Sequence, residues 1–305
     1  MNEVISTFIA LIPVTLAQSL ILSFVVLAIM IPFRILSFPD LTSEGAYPLG
    51  GAVCAIAMVS GVPAYLAIPL AVVAGFVAGC ATALIHLRFK IHTLLAGILV
   101  TTMLYSVNLR ILGKPNVPLF KETKLFDYLD LGKGMNNLEK ILIVGLLMGV
   151  VGFGLRLWFM TERGIAMRAV GDNPDMAEAQ GNNVDRAIFL GVGAAGGCAA
   201  LSGSLMVQSQ AFVDVNMGIG LLINALAALM IGETILGRRK ISQQLLAPFV
   251  GSLIYYQLIS FCLAAGLAPS DLKIATGIFV LVMLGAPILK GKRNTTRLAK
   301  ESIRE

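Results

Sequence analysis

Apolar residues run along this chain in long stretches separated by short polar loops. A segment needs about 20 mostly apolar residues to cross a bilayer as a helix. Nine runs come close to that length or reach it: 8–32, 46–61, 64–86, 93–112, 140–160, 187–208, 218–236, 244–264 and 272–290. The pattern predicts an all-α polytopic membrane protein of about nine transmembrane helices, within a range of eight to ten. Pro13, Pro69, Pro248 and Pro287 fall inside these runs. Packed membrane helices tolerate such breaks because neighbours satisfy the freed carbonyls. The second run is short and begins in a polar stretch, which predicts one broken or partly re-entrant helix.

Composition agrees. Hydrophobic residues are 57% of the chain and charged residues 13%, where a soluble domain carries about 25% charged. Mean hydropathy is +0.86. Too few polar residues remain to cover a water-facing surface. That excludes an ordinary cytosolic enzyme, a secreted disulfide scaffold, a disordered regulator and a nucleic-acid binder, and predicts contact with membrane lipid. The net charge of +6 then reads as basic loops held at one membrane face. Loops 33–45, 87–92, 161–186 and 237–243, with the tail after 290, hold most of the 23 Lys and Arg. The positive-inside rule puts them in the cytoplasm and the N-terminus outside, which requires an odd number of spans. The first run lacks a basic leader and a cleavage site, so it is expected to be retained. The expected organisation is a transmembrane domain over 1–290, with a cytoplasmic loop 161–186 and an outer loop 113–139, followed by a basic cytoplasmic tail over 291–305.

Little in the chain suggests catalysis. Cys54, Cys80, Cys198 and Cys262 lie in apolar runs without C-x-x-C spacing and read as small buried hydrophobes. Gly191-x-Gly193-x-x-Gly196 fits a dinucleotide fingerprint by letter only, because no strand precedes it. Gly75-x-x-x-Gly79, Gly145-x-x-x-Gly149 and Gly193-x-x-x-Gly197 have the spacing that brings helix backbones together in lipid. There is no P-loop and no H-E-x-x-H. The two histidines, His86 and His92, flank a basic loop. No catalytic residue, cofactor or metal site is predicted.

Loop 161–186 carries the most local information. Asn173 suits an N-cap and Pro174 the first helical position. Asp175 and Glu178 favour the positive end of a helix, and Gly181 suits a left-handed stop. These residues predict a short helix over 174–180, flanked by turns at Gly171 and Gly181. It is either a structured linker or a docking helix for a soluble partner.

The string Thr161-x-x-Gly164-x-x-x-Arg168-Ala169-x-Gly171-x-Asn173-x-x-x-Ala177-x-x-x-Gly181 resembles the cytoplasmic loop of permeases in the branched-chain amino acid/ribose family of bacterial ABC importers. Asp40–Gly45 with Gly50-Gly51-Ala52, and the Gly/Ala/Ser-rich run over 187–205, resemble two further stretches of that family. The likeness runs from about residue 8 to 290. It implies that Gly164, Arg168, Ala169, Gly171, Asn173, Pro174, Ala177 and Gly181 form the coupling segment that docks on an ATPase subunit. It further implies an extracytoplasmic substrate-binding protein, a permease homodimer and residence in the bacterial plasma membrane. Gly232-Glu233 and Arg238-Arg239-Lys240 stand where the family often has glycines. Sugar-type members often have an additional N-terminal span; its absence here points to an amino acid substrate, with a sugar or nucleoside as the alternative.

Polar residues inside spans are costly and face a bundle interior or a water-filled path. Thr101, Tyr105 and Asn108 share one helical face. With Thr42, Glu44, Gln208 and Asn224 they are the candidates for a translocation path; hydrogen bonds between helices are the alternative reading of each. Gln18 and Ser19 mark the first span, and Gln210, Asp214 and Asn216 cluster near Gln208. Asp40 and Glu44, four apart, would share a helix face near the cytoplasmic boundary, within reach of water. The two polar stretches, each preceding a small-residue span on opposite sides, are what two inverted repeats would give. An ion-coupled secondary transporter is the competing function, and it would want ionisable groups at mid-membrane. None is evident from hydropathy. A scaffold or membrane enzyme would need chemistry that the chain does not display.

Overall fold

The computed structural model describes residues 2–128, 136–238 and 240–267, with isolated positions from 271 to 281. Most of the ninth apolar run, the tail 291–305 and the centre of the 113–139 loop lie outside the described residues. Helix α1 (Asn2–Met30) passes into a π-helical turn (Ile31–Ile35), followed by α2 (Thr42–Val59), α3 (Ala64–Phe89) and α4 (Thr93–Leu112). A short strand β1 (Asn116–Pro118) and a 3-10 turn (Leu125–Tyr128) lead to α5 (Asn136–Met160). Helices α6 (Glu162–Asp172) and α7 (Pro174–Ala179) precede α8 (Val184–Gln210), β2 (Phe212–Asp214), α9 (Leu221–Leu236) and α10 (Ile241–Ala264). Among the described residues, 6 helices are long and apolar enough to cross a membrane, and α9 is a shorter apolar helix. The fold is therefore polytopic and almost wholly helical. Two strands, which hydropathy does not announce, pair antiparallel with Val117 opposite Val213.

Helix α8 is the hub. Its residues from Gly191 to Gln208 are nearly all buried, against α1, α2 and α3. Small residues make this possible. A Cβ on Gly79 would run into the Val192 carbonyl, and one on Gly203 into the Tyr47 carbonyl. So the Gly75/Gly79 and Gly193/Gly197 spacings do bring α3 onto α8, and the glycines of the dinucleotide-like string serve helix packing. Gly145 and Gly149 do not act this way, since no atom lies within 4 Å of a Cβ at either. Helix α5 is largely unburied, with Leu146 and Val150 exposed.

The order of contacts repeats along the chain. Helix α3 packs on α2 and on α8; α10 packs correspondingly on α9 and on α1. Helices α1 and α8 run antiparallel, as Leu36 at the end of α1 touches Gly191 near the start of α8, while Ser202 donates to the Ile21 carbonyl at 2.7 Å. The loops assigned to one side gather accordingly. Gly171 of α6 abuts the Ile35 carbonyl, and Arg34 reaches Glu233 of α9. At the opposite end, the β1–β2 pair joins the loop after α4 to the loop after α8.

The end of α9 is closed by charge. Glu233 is 5% exposed. Its Oε2 accepts from Arg34 Nη2 at 2.8 Å and from Arg238 Nη2 at 2.7 Å. Removing both arginines, by Arg34→Ala with Arg238→Ala, strands a buried carboxylate and is expected to cost about 3–5 kcal/mol. Glu233→Gln leaves two arginines that still reach water, and should cost about 1–2 kcal/mol. Thermal and denaturant unfolding of the solubilised protein measure the asymmetry. On the same measurement Gly79→Ala is expected to destabilise by about 1–3 kcal/mol through overpacking, and Gly149→Ala to have no measurable effect.

Candidate functional site

Two assemblies contain the residues singled out above, one at the α6–α7 end and one at mid-height of the bundle. At the first, Asn173 caps α7 as its side chain predicts: Oδ1 accepts from Met176 N at 3.0 Å, and Pro174 is the first helical residue. Gly181 stops the helix with φ +86, its N–H donating to the Glu178 carbonyl at 2.8 Å. The segment before it is not the turn that Gly171 suggested. Residues 162–172 form α6, capped by Thr161, whose Oγ1 accepts from Gly164 N at 3.4 Å. The 3.6-residue placement of Gly164, Met167 and Val170 on one buried face is the signal that marks this helix.

The residues expected to form a coupling segment divide by what they touch. Gly164 lies against the Trp158 carbonyl at the end of α5, and Gly171 against the π-helical turn after α1. Neither position has room for a side chain. Arg168 Nη2 donates to the Phe159 carbonyl at 3.3 Å, satisfying an α5 carbonyl that the helix end leaves free. The Ala169 carbonyl accepts from Asn173 N at 3.0 Å, and Ala177 is 2% exposed. These residues seat the arm on the bundle. The surface turned to solvent is Asp175, Met176, Glu178 and Gln180, with Met176 60% exposed. Beside it, between α3, α5, α6 and α8, lies a largely apolar cleft of about 600 Å³ lined by Trp158, Arg163, Met167 and Arg186.

The second assembly is a cleft of about 60 Å³ lined by Glu44, Gly45, Pro48, Thr101, Tyr105, Asn108, Val215, Gly218 and Ile219. The structure thus brings four of the seven path candidates together: Glu44, Thr101, Tyr105 and Asn108. The cleft lies near the middle of α4, about 12 Å along the axis from its first residue to Thr101. Two helices begin beside it. At the start of α2, Thr42 N and Thr42 Oγ1 donate to Asp40 Oδ1 at 2.9 and 2.5 Å. At the start of α9, Leu222 N donates to Glu44 Oε1 at 3.3 Å. Thr101 Oγ1 donates to the Leu41 carbonyl at 3.0 Å, and Asn108 Nδ2 to the Gly45 carbonyl at 3.3 Å. Asn108 is fully buried, and its Oδ1 has no partner. Tyr105 and Ile219, 46% and 69% exposed, frame an opening on the outside of the bundle.

Three expectations change. Asp40 and Glu44 do not share a helix face, because Asp40 precedes α2 and caps it. Asp40 is not within reach of water either, being 1% exposed, and Glu44 lies at mid-height, not at a boundary. Hydropathy missed this because the chain re-enters the bundle after the π-helical turn, and α2 starts inside it. Among the remaining candidates, Thr42 is buried below the cleft against Thr82 Oγ1, 2.7 Å away. Gln208 lies elsewhere: its Oε1 accepts from Leu125 N at 2.8 Å and its Nε2 donates to Cys54 Sγ at 3.2 Å, pinning the loop at the β end. Asn224 Oδ1 is taken by the Tyr255 hydroxyl at 2.9 Å. Each of these three is hydrogen-bonded to a neighbouring element away from the cleft. Sequence reasoning missed Pro48, Val215 and Gly218 as cleft walls, and no polar signal marks them.

Residues 12–287 match the family described as the branched-chain amino acid transport system permease component. A tyrosine transport system permease protein of Clostridioides difficile (strain R20291) is 38% identical over 269 residues, 88% of each chain. An uncharacterized protein of Rickettsia prowazekii (strain Madrid E) is 34% identical over 275 residues, 89% of this chain and 95% of its own. A ribose import permease protein of Escherichia coli (strain K12) is 24% identical over 220 residues, 70% of this chain and 66% of its own. No solved structure matches. With a bundle of apolar helices and a match over nearly its whole length, the chain belongs to the branched-chain amino acid/ribose type of ABC transporter permease, a multi-pass protein of the bacterial inner membrane.

Proposed function

We propose that this chain is the pathway-forming subunit of an ATP-driven importer, and that its solute is an amino acid. The observation that carries the reading is the α6–α7 arm. A six-residue helix capped at both ends presents Met176, Asp175 and Glu178 to solvent and buries Ala177, while Gly164 and Gly171 wedge the preceding α6 against α5 and the turn after α1. A force applied to the exposed face passes into two spans without a flexible joint. That is what a permease needs if its nucleotide-hydrolysing engine is a separate ATPase subunit: the two states must differ in their contacts with the partner. Under this reading the arm is the coupling helix in the cytoplasm, loops 33–45 and 237–243 lie on the same side, and the β1–β2 pair faces the extracytoplasmic substrate-binding protein. The described helices repeat their contacts with α1–α3 and α8–α10 in corresponding roles, which supports inverted repeats around the mid-height cleft. The cleft opens on the outside of the subunit, so a second copy placed over Tyr105 and Ile219 completes it, and the functional unit is a homodimer. The relative named for tyrosine transport supports an amino acid over a sugar.

One observation favours the ion-coupled alternative. Glu44 is an ionisable group at mid-height, so the absence of such groups no longer counts against it. The arm and the family weigh the other way, because an ion-driven transporter has no use for a rigid docking helix.

Reconstitution of the chain with its ATPase and binding protein, assayed as labelled amino acid uptake into vesicles, tests the choice. Deleting 172–180 is expected to abolish uptake while the chain still inserts. Met176→Arg, which changes only the exposed face, is expected to lower uptake about tenfold or more at unchanged membrane abundance. Full uptake by the deletion variant, or uptake that fails on collapsing an ion gradient with ATP held constant, would overturn the importer.

A further inference from the structure

We infer that the mid-height cleft is a binding site for a primary ammonium group, and that it receives the amino end of the transported solute. The inference rests on the importer reading for its second clause only. The argument begins with the free hydrogen-bonding capacity of the walls. Asn108 Nδ2 is committed to the Gly45 carbonyl, which fixes the amide orientation and leaves Oδ1 as the free atom. Asn108 lines the cleft, and its Oδ1 is buried without a partner. A buried acceptor left unpaired costs about 1–3 kcal/mol, and a ligand N–H would recover this. Thr101 has given its proton to the Leu41 carbonyl, so its remaining capacity is as an acceptor. Glu44 is a carboxylate whose described partner, Leu222 N, engages Oε1. No Lys, Arg or His lines the space. Among the lining side chains, only the Tyr105 hydroxyl can still donate.

Such a surface discriminates. A carboxylate only accepts, and the Tyr105 hydroxyl is the one side-chain donor left for it here; a sugar hydroxyl can donate, but one at a time and without a charge to meet Glu44. A primary ammonium carries three donors and a positive charge. It matches Asn108 Oδ1, Thr101 Oγ1 and the Glu44 carboxylate. The size agrees, since about 60 Å³ holds an ammonium and its carbon but no side chain, which would extend past Tyr105 toward a second copy. The helix ends oppose a cation only weakly. Asp40 occupies the start of α2, and at the start of α9 a carboxylate charge on Glu44 exceeds the half charge of the helix end.

Ligand-induced thermal stabilisation of the full solubilised chain, without ATPase or binding protein, tests the site apart from the transport reading. The probes are L-tyrosine, tyramine, 3-(4-hydroxyphenyl)propionate and sodium chloride at matched ionic strength. L-tyrosine and tyramine at saturation are expected to raise Tm by about 2–5 °C, and the propionate and sodium to leave it unchanged. Glu44→Gln keeps an acceptor for Leu222 N while removing the charge, and should abolish the shift without lowering the unliganded Tm by more than about 2 °C. Equal stabilisation by the propionate, stabilisation by sodium, or no response to either amine overturns the proposal. The wild-type comparison decides even where the variant does not fold. An amine shift in a chain that fails ATP-driven uptake would keep the site and sink the importer; uptake without an amine shift would do the reverse.

Discussion

Backbone N–H groups at the start of a helix need partners, and inside an apolar bundle water does not supply them. This constraint organises the centre of the molecule. Helices α2 and α9 both begin within the packed interior, one entering from each end of the bundle. The first is satisfied by Asp40, whose Oδ1 takes Thr42 N and the Thr42 hydroxyl; the second by Glu44, which takes Leu222 N. Glu44 itself belongs to the first turn of α2. One short acidic stretch therefore serves two helix starts, with the positive ends of helices beside its carboxyl groups. The same demand fixes α4, through Thr101 and Asn108 to the Leu41 and Gly45 carbonyls. A cleft with unspent acceptors is the residue of that accounting: more oxygen atoms than N–H groups meet at this point.

The packing around α8 is what allows helices to stop and start in the interior. Contacts at Gly79 and Gly203 put backbone against backbone with no side chain between, so α2 and α3 are held by neighbours and do not depend on spanning the whole bundle. Where glycine has no such neighbour, at Gly145 and Gly149, that face of the helix is turned outward and brings no second backbone close. Glycine spacing alone therefore says that close approach is allowed, and only the fold says where it happens. At the α6–α7 end the same device seats the arm: Gly164 on α5 and Gly171 on the turn that ends α1. A rigid seat on two spans is a mechanical arrangement, and it makes those glycines structural while the solvent-facing Met176 is the surface a partner would meet.

Local chemistry was legible in the sequence; non-local chemistry was not. The start and stop of α7 follow from Asn173, Pro174 and Gly181 because capping is settled within four residues. The long spans follow from hydropathy because each is longer than any alternative element. The shared face of Thr101, Tyr105 and Asn108 follows from helix periodicity. What was not legible depends on pairings across the chain. Glu44 meets Leu222 across 178 residues, and Arg34 meets Glu233 across 199. The second pairing had a trace. Glu233 and Arg238 both stand where the family resemblance leads to an expectation of glycine, and a carboxylate and a guanidinium that depart from a pattern together are candidates for each other. Gln208 and Asn224 lie away from the cleft for a reason that is also non-local. Each is polar inside a span, and each is hydrogen-bonded to a neighbouring element, so polarity alone does not separate a path from a brace.

The distinction between brace and path is one of remaining capacity. Every polar side chain near the cleft has a structural duty: Asp40 and Glu44 hold helix starts, while Thr101 and Asn108 hold carbonyls. A duty that uses one atom of a bifunctional group leaves the other free, and the direction in which it is free is fixed by what was consumed. Carbonyls consume donors. Because α2 presents carbonyls to α4, the side chains of α4 are left with acceptors, and the cleft acquires a preference for cationic donors without any residue being present for that purpose alone. The same logic explains why the α9 end behaves differently. There the carboxylate of Glu233 is met by two guanidinium groups, donors and charge are both in surplus, and the group is a lock between α1 and α9 with nothing left to offer a solute.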